Sequence, residues 1–321
     1  MKAYKACEKR WKSSMIDDLL LDGALVDVRN LSTEQQKNVC RVGSWKWSQN
    51  LEERPVLGFD GFGKSHHGLC VIPSALDEIT QLHFAHACLT EFVELPHLTN
   101  LHKQNHQFSG IWNQACESYP QNPSEFPLLA KLSWSALGYH YDWTARKYHR
   151  DKHSPVPESL QQLGKKCAAA CGMKLAPEAI IINFYKTKSA MGGHLDDAEF
   201  TMDHPVISLS LGSSCIFLIG GQSKDEPPLQ ILLRSGDIVV MGGVSRRCYH
   251  GVARVFPTRC SLDFYKFDAI SRSKAHYDEL EYVKRYLNSQ RININIRQVY
   301  PGEISTSKKD SQTHSPQIAI N

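Results

Sequence analysis

No stretch of this sequence approaches the roughly 20 consecutive apolar residues that a membrane-crossing helix needs, so no membrane association is expected. A large excess of one charge is missing too. The 37 Lys and Arg face 33 Asp and Glu, a net charge of +4 over 321 residues, which is too small to require a nucleic-acid partner by itself. Nor is the composition that of a disordered chain, because 41% hydrophobic and 22% charged residues lie near globular averages. The ten cysteines are scattered without regular spacing, which excludes a disulfide framework and suits a reducing, intracellular compartment: nucleus, cytoplasm or mitochondrion. Cys167 and Cys171 fall on one helical face, with no second Cys or His pair at zinc spacing, and read as small buried hydrophobes.

What is present divides the chain into an N-terminal helical extension over 1–54, a main domain over 55–300 and a disordered tail rich in Ser, Thr and Lys over 301–321. The first residues, MKAYKACEKRWKSS, suggest a basic amphipathic helix, read as a solvated surface helix in preference to a mitochondrial presequence. Apolar positions spaced by three and four predict a helix over 77–93, with His83 and His86 packing on it, and further helices over 157–171 and 275–289. His97, His102 and His106, without a neighbouring carboxylate, read as surface residues. Between Ala179 and Tyr265 the texture changes to short apolar or β-branched runs separated by turn signals, a pattern for a β-sandwich or barrel, best a jelly roll. A monomer is expected.

Residues 58–65, GFDGFGKS, satisfy the phosphate-loop pattern of Gly58, Gly63, Lys64 and Ser65. That motif works only where a helix begins at the lysine and offers its free amides to phosphate. Here Gly68 and Pro73 leave no room for a helix and LCVI reads as a strand, so the match is assigned to chance.

A stronger constellation begins at Gly193-His194-Leu195-Asp196. Residues two apart on an extended segment project to one side, so His194 and Asp196 can share a metal. His250, at the end of another expected strand, can supply a third ligand, and two histidines with one carboxylate form the facial triad of non-haem Fe(II) oxygenases. Arg291 and Arg297 in RININIRQV face one way along a strand together with Asn293. Two readings remain open for them: a guanidinium site for a dicarboxylic co-substrate, or the polar solvent face of an edge strand.

Asn183-Phe184-Tyr185, then His194-x-Asp196, SGDIVVMGGVSRRCYHG ending at His250, and Arg291-x-Asn293-x-x-x-Arg297 together resemble the AlkB family of nucleic-acid dioxygenases. LGYHYDW, CAAACG, the long spacer after His250 and RQV are most similar to its animal AlkB homologue 1 branch. The similarity runs over about 125–300, more faintly from 55. It implies an α+β fold with a double-stranded β-helix (jelly-roll) core and flanking helices. It further implies Fe(II) held by His194, Asp196 and His250, with 2-oxoglutarate and O2 as co-substrates. Asn183, Tyr185, Arg291 and Asn293 would hold the distal carboxylate of 2-oxoglutarate, and Arg297 would sit near its iron-side carboxylate.

The implied activity is oxidation of methyl groups on nucleic-acid bases: N1-methyladenine and 5-methylcytosine in tRNA, and N6-methyladenine in single-stranded or unpaired DNA. An unpaired base needs aromatic surfaces to hold it. Tyr139, His140, Tyr141, Trp143 and Tyr148, interleaved with Arg146, Lys147 and Arg150, offer such a platform, although alternate strand positions must face a core. Lys152 extends the basic run, whose other reading is a solvated surface. One departure bears on base choice. Bacterial members carry an acid two positions after the metal Asp, where this chain has Ala198, followed by Glu199. The alternatives are a protein hydroxylase or histone lysine demethylase using the same iron site, and a binding module without activity.

Overall fold

The computed structural model describes residues 2–13, 23–49, 51–104, 108–257 and 274–302. His106 and nearly all of the expected tail lie outside them.

Two sheets face each other. The smaller joins, in spatial order, β1 (Leu25–Asp27), β12 (Leu229–Leu233), β11 (Ser214–Ile219), β14 (His250–Phe256) and β9 (Met191–His194). The larger begins with β2 (Cys40–Trp45), β3 (Arg54–Gly58), β4 (Leu69–Ile72), β13 (Ile238–Met241) and β10 (Val206–Gly212). It continues through β15 (Gln290–Arg297), β8 (Ala179–Lys186), β6 (Trp134–Asp142) and β5 (Leu98–Thr99), with β7 (Lys147–His153) paired to β6. Every pairing is antiparallel except β1 with β12.

Period-two alternation assigns each face its own core. Cys215, Phe217 and Ile219 of β11 meet Val239 and Met241 of β13 between the sheets. Ile216 and Leu218 point outward, where Tyr4 and Trp11 of helix α1 (Ala3–Ser13) cover them. The outer face of the larger sheet, including Ile207, Leu209 and Ile292, packs on helices α2 (Glu78–Thr90), α3 (Glu158–Ala170) and α4 (Lys274–Ser289). The layers therefore run helix, sheet, sheet, helices. Strands buried on both faces read as nearly unbroken apolar runs, as in β11 and β13.

Several expectations change. Residues 1–54 do not stand apart as a helical extension: α1 packs on β14 and β9, β1 pairs with β12, and β2 pairs with β3. The solvated-helix reading of α1 fails because Tyr4 and Trp11 are fully buried, with Trp11 Nε1 donating to Gln230 Oε1 at 2.7 Å. On α2 the inward face is Leu82, Ala85, Cys88 and Leu89, so His83 is exposed, while His86 is half-buried against Glu279. His97 is buried, its Nδ1 2.8 Å from Ser154 Oγ, and His102 caps the turn at Asn100 through the Thr99 amide, so neither is a free surface residue. Cys167 is buried in the α3 core as expected, whereas Cys171, just past the helix end, is only half-buried. The phosphate-loop match is two single 3-10 turns, Asp60–Phe62 and Lys64–His66, followed by β4, with no α-helix at Lys64 and with Ser65 bonded to Glu226.

Candidate metal and co-substrate centre

His250 opens β14 and is paired in register with His194, the last residue of β9, so the antiparallel ladder sets the two imidazoles side by side, ring centres 4.5 Å apart. Asp196 lies just past the end of β9. Its carboxylate oxygens stand 3.8 Å from His194 Nε2 and 3.7 Å from His250 Nε2, and one ligand atom from each of the three falls within 4.8 Å of the others. Both rings are aimed by their other nitrogen. His194 Nδ1 is 3.0 Å from the Gly192 carbonyl and His250 Nδ1 3.1 Å from the Cys248 carbonyl, which accept the Nδ1 protons and leave the Nε2 lone pairs facing inward. Burial pushes the His250 pKa down to about 4, so the ring is neutral and able to ligate at neutral pH. Burial alone would raise Asp196, but Arg297 and the two imidazoles hold its carboxyl well below the usual range. An ionised carboxylate with two imidazoles on one side is a donor set that fits a divalent iron.

The carboxylate is itself held by a closed network of charges. Arg297 contacts Asp196 Oδ2 at 3.2 Å and Glu199 Oε1 at 2.9 Å; Arg246 donates to the Asp196 carbonyl at 2.6 Å and to Glu199 Oε2 at 3.0 Å. Glu199 is thus fully committed between two arginines and is not available to a base in place of the missing acid at Ala198. From the far side of the small sheet, Glu8 of α1 accepts the Gly193 amide at 2.6 Å, beside His194, and Tyr4 packs against the same glycine. Neither Glu8 nor Arg246 was singled out from sequence. Arg246 stood in the SRRCYHG motif as a visible signal, whereas Glu8 had none.

β15 decides between the two readings of its arginines. It is a central strand, between β10 and β8, and its alternation sends Ile292, Ile294 and Ile296 to the helical layer and Arg291, Asn293, Asn295 and Arg297 inward. The solvent-face reading is therefore wrong: Arg291, Asn293 and Arg297 are all buried. Arg291 donates from Nη2 to Ser210 Oγ at 2.9 Å, while its Nε and Nη1 are buried without a hydrogen-bond partner. Asn293 is oriented by Ser208 Oγ and the Leu209 carbonyl, both at 2.9 Å. Unpartnered buried guanidinium donors are costly unless something accepts from them, and a carboxylate is the planar acceptor they match.

The three candidate ligands, Glu199 and the inward side chains of β15 line one cavity of about 430 Å³, within the usual size of small-molecule sites, while Arg246 and Glu8 stand outside its wall. Asn183 and Tyr185 of β8 join Arg291, Asn293 and Arg297 in it, and the metal triad forms another part of its wall. Of the expected aromatic and basic platform, Tyr141, Trp143, Arg146 and Tyr148 line the cavity, with Trp143 44% exposed and Tyr148 buried. Tyr139, Lys147 and Arg150 do not line it. Tyr139 packs on Tyr300, Arg150 lies over the same ring, and Lys147 is exposed at the start of β7.

Residues 83–297 match the model of the 2OG-Fe(II) oxygenase superfamily. Curated proteins similar to the chain include three from a plant, an animal and a yeast. The DNA N(6)-methyladenine demethylase ALKBH1A of Arabidopsis thaliana is 34% identical over 78% of this chain and 79% of its own length. The human nucleic acid dioxygenase ALKBH1 is 32% identical over 88% of this chain and 77% of its own. The tRNA demethylase abh1 of Schizosaccharomyces pombe is 36% identical over 53% of this chain and 54% of its own.

Proposed function

The chain belongs to the 2OG-Fe(II) oxygenase superfamily, among its AlkB homologue 1 relatives, and from that premise we propose that it oxidises methyl groups on nucleic-acid bases. Unpaired tRNA is the proposed main substrate and unpaired DNA a second, in keeping with the relatives named for tRNA and for DNA. The two sheets, with the site between their ends, are inferred to be a double-stranded β-helix.

His194, Asp196 and His250 would hold Fe(II), which with 2-oxoglutarate and O2 supplies C–H hydroxylation coupled to release of succinate and CO2. The chain's own residues have separate tasks. The two backbone carbonyls accept the Nδ1 protons and so turn each Nε2 toward the metal position, and Arg297 with Arg246 keeps Asp196 ionised and in place. Arg291 would bind the distal carboxylate of 2-oxoglutarate through its unpartnered donors, with Asn183, Tyr185 and Asn293 completing that end and Arg297 near the other. Tyr141, Trp143, Tyr148 and Arg146 would receive a base extruded from its strand. A methyl hydroxylated on nitrogen collapses to formaldehyde and the bare base, whereas one on carbon persists as an alcohol.

The observation that carries this reading is the pair of unpartnered Arg291 donors in the same cavity as the triad. The test is turnover of methylated tRNA stem-loops and methylated peptides by the purified protein with Fe(II), followed by mass spectrometry of nucleosides and succinate. Turnover on RNA that disappears in His194→Ala, Asp196→Ala and His250→Ala, with each variant still folded, is the expected result. Activity confined to peptides, or retained in any of the three variants, would overturn it.

A further inference from the structure

Phe200 is one of five large hydrophobic side chains left exposed among the described residues, with Val42, Leu95, Trp143 and Val244. Phe200 does not itself line the cavity, but it follows Asp197, Ala198 and Glu199, which do, and it stacks on Tyr300, which packs in one cluster with the cavity residues Tyr141, Tyr148 and Ala198. At 59% exposure its ring is uncovered without being loose. Its amide donates to the Val299 carbonyl at 2.8 Å, and its ring stacks on Tyr300 with centres 4.9 Å apart and planes 13° from parallel. Tyr300 is fixed in turn: Glu178 accepts the amides of Val299 and Tyr300 at 2.8 Å, and Tyr139 meets the ring edge-on. The Arg150 guanidinium lies 4.0 Å from the Tyr300 ring centre, on a strand that also carries the exposed Lys147 and Lys152.

A pocket that takes one base out of a strand leaves the neighbouring nucleotides at its mouth, with unstacked faces and a charged backbone. A rigid aromatic face beside cations is what such a nucleotide needs, because every base has a π-face and every linkage a phosphate. We propose that Phe200, backed by Tyr300 and flanked by Arg150, is the stacking platform for a nucleotide adjacent to the extruded base in single-stranded or looped nucleic acid. This rests on the proposed nucleic-acid function and adds to it a residue that reads the strand beside the methylated base. Such a platform tolerates any base, so it confers a preference for unpaired flanks without a sequence preference. In a continuous duplex the flanking base is already stacked and paired and has no free face to offer.

The experiment is a binding titration by fluorescence anisotropy, with short single-stranded RNAs that are intact or abasic on the 5′ or the 3′ side of the target base. Wild type, Phe200→Ala and Phe200→Trp are compared, and turnover of the methylated versions is measured in parallel. Phe200→Ala is expected to weaken binding of intact RNA between about fivefold and a hundredfold, the span that ~1–3 kcal/mol per stacked base represents. Phe200→Trp should restore it, and one of the two abasic positions should abolish the difference between wild type and Phe200→Ala. Equal affinity of wild type and Phe200→Ala for intact RNA would overturn the platform. So would a loss that persists unchanged when both flanks are abasic, since the side chain would then act through the fold. Predicted binding without any turnover by wild type would instead overturn the base-oxidation reading and leave the platform standing. No binding of RNA by wild type would overturn both.

Discussion

Replacing Glu8 by Leu should weaken metal binding from the opposite side of the small sheet. Glu8 is 8% exposed, and its carboxylate accepts the Gly193 amide at 2.6 Å, one residue before His194. A hydrogen bond to a charged acceptor contributes about 1.5–3 kcal/mol, and an amide left buried without a partner costs about 1–3 kcal/mol. If that loss appears as misplacement of His194, about 1.4–3 kcal/mol corresponds to roughly ten- to a hundredfold in affinity, the range found for partners that orient metal ligands. Leu keeps the apolar contact of α1 with the sheet and removes only the acceptor, while Glu8→Gln keeps a carbonyl oxygen able to take the same proton. The assay is calorimetric titration of the metal-free protein with Mn(II) or Ni(II), alongside thermal melting and hydrogen exchange at Gly193. The expected order of affinity is wild type, then Glu8→Gln within about threefold, then Glu8→Leu. Wild-type affinity in a folded Glu8→Leu would refute the reasoning, as would Glu8→Gln failing as badly as Glu8→Leu.

Arg291→Ala should raise the 2-oxoglutarate requirement at least about a hundredfold, since loss of one member of a buried charged pair costs about 3–5 kcal/mol, and should affect the nucleic-acid requirement far less. Steady-state titration of each substrate separates the two effects. Arg246→Ala leaves Glu199 Oε2 and the Asp196 carbonyl without the donor that ties them together, so apparent Fe(II) affinity should fall by at least about tenfold, and Arg246→Lys should restore part of it. Iron titration of succinate formation together with Mn(II) calorimetry reads this out. Arg146, Lys147 and Arg150 changed together to Ala should reduce the salt dependence of RNA binding. The slope should change by less than the about 2 expected for three contacts to a single strand, because Arg146 already faces Asp197 at 3.6 Å. Affinity measured across a range of salt concentrations tests it, and an unchanged slope would make this face ordinary surface.

Local patterns carried much of this protein in its sequence. RININIR alternates with period two, and that period alone predicts isoleucines on one face and polar side chains on the other. His194 and Asp196 stand close enough along the chain to share a metal whatever surrounds them, and Gly68 with Pro73 forbids a phosphate-binding helix at Lys64 on backbone grounds. What the sequence could not express is which strands become neighbours. Alternation is the same for an edge strand as for β15 between β10 and β8, and only that central position turns Arg291 from a solvent-facing cation into a buried guanidinium with two unpartnered donors. His250 becomes a partner of His194 only through the β9–β14 register. Glu8 reaches Gly193 across 185 residues, and a polar residue on a basic helix looks the same in sequence whether water or a distant amide faces it. Phe200 likewise gives no periodic signal, because a loop residue's exposure is set by what packs beneath it, here Tyr300. Periodicity is a property of neighbouring residues, whereas the centre of this protein is made by contacts between elements far apart in the chain, and those depend on the complete packing of both sheets.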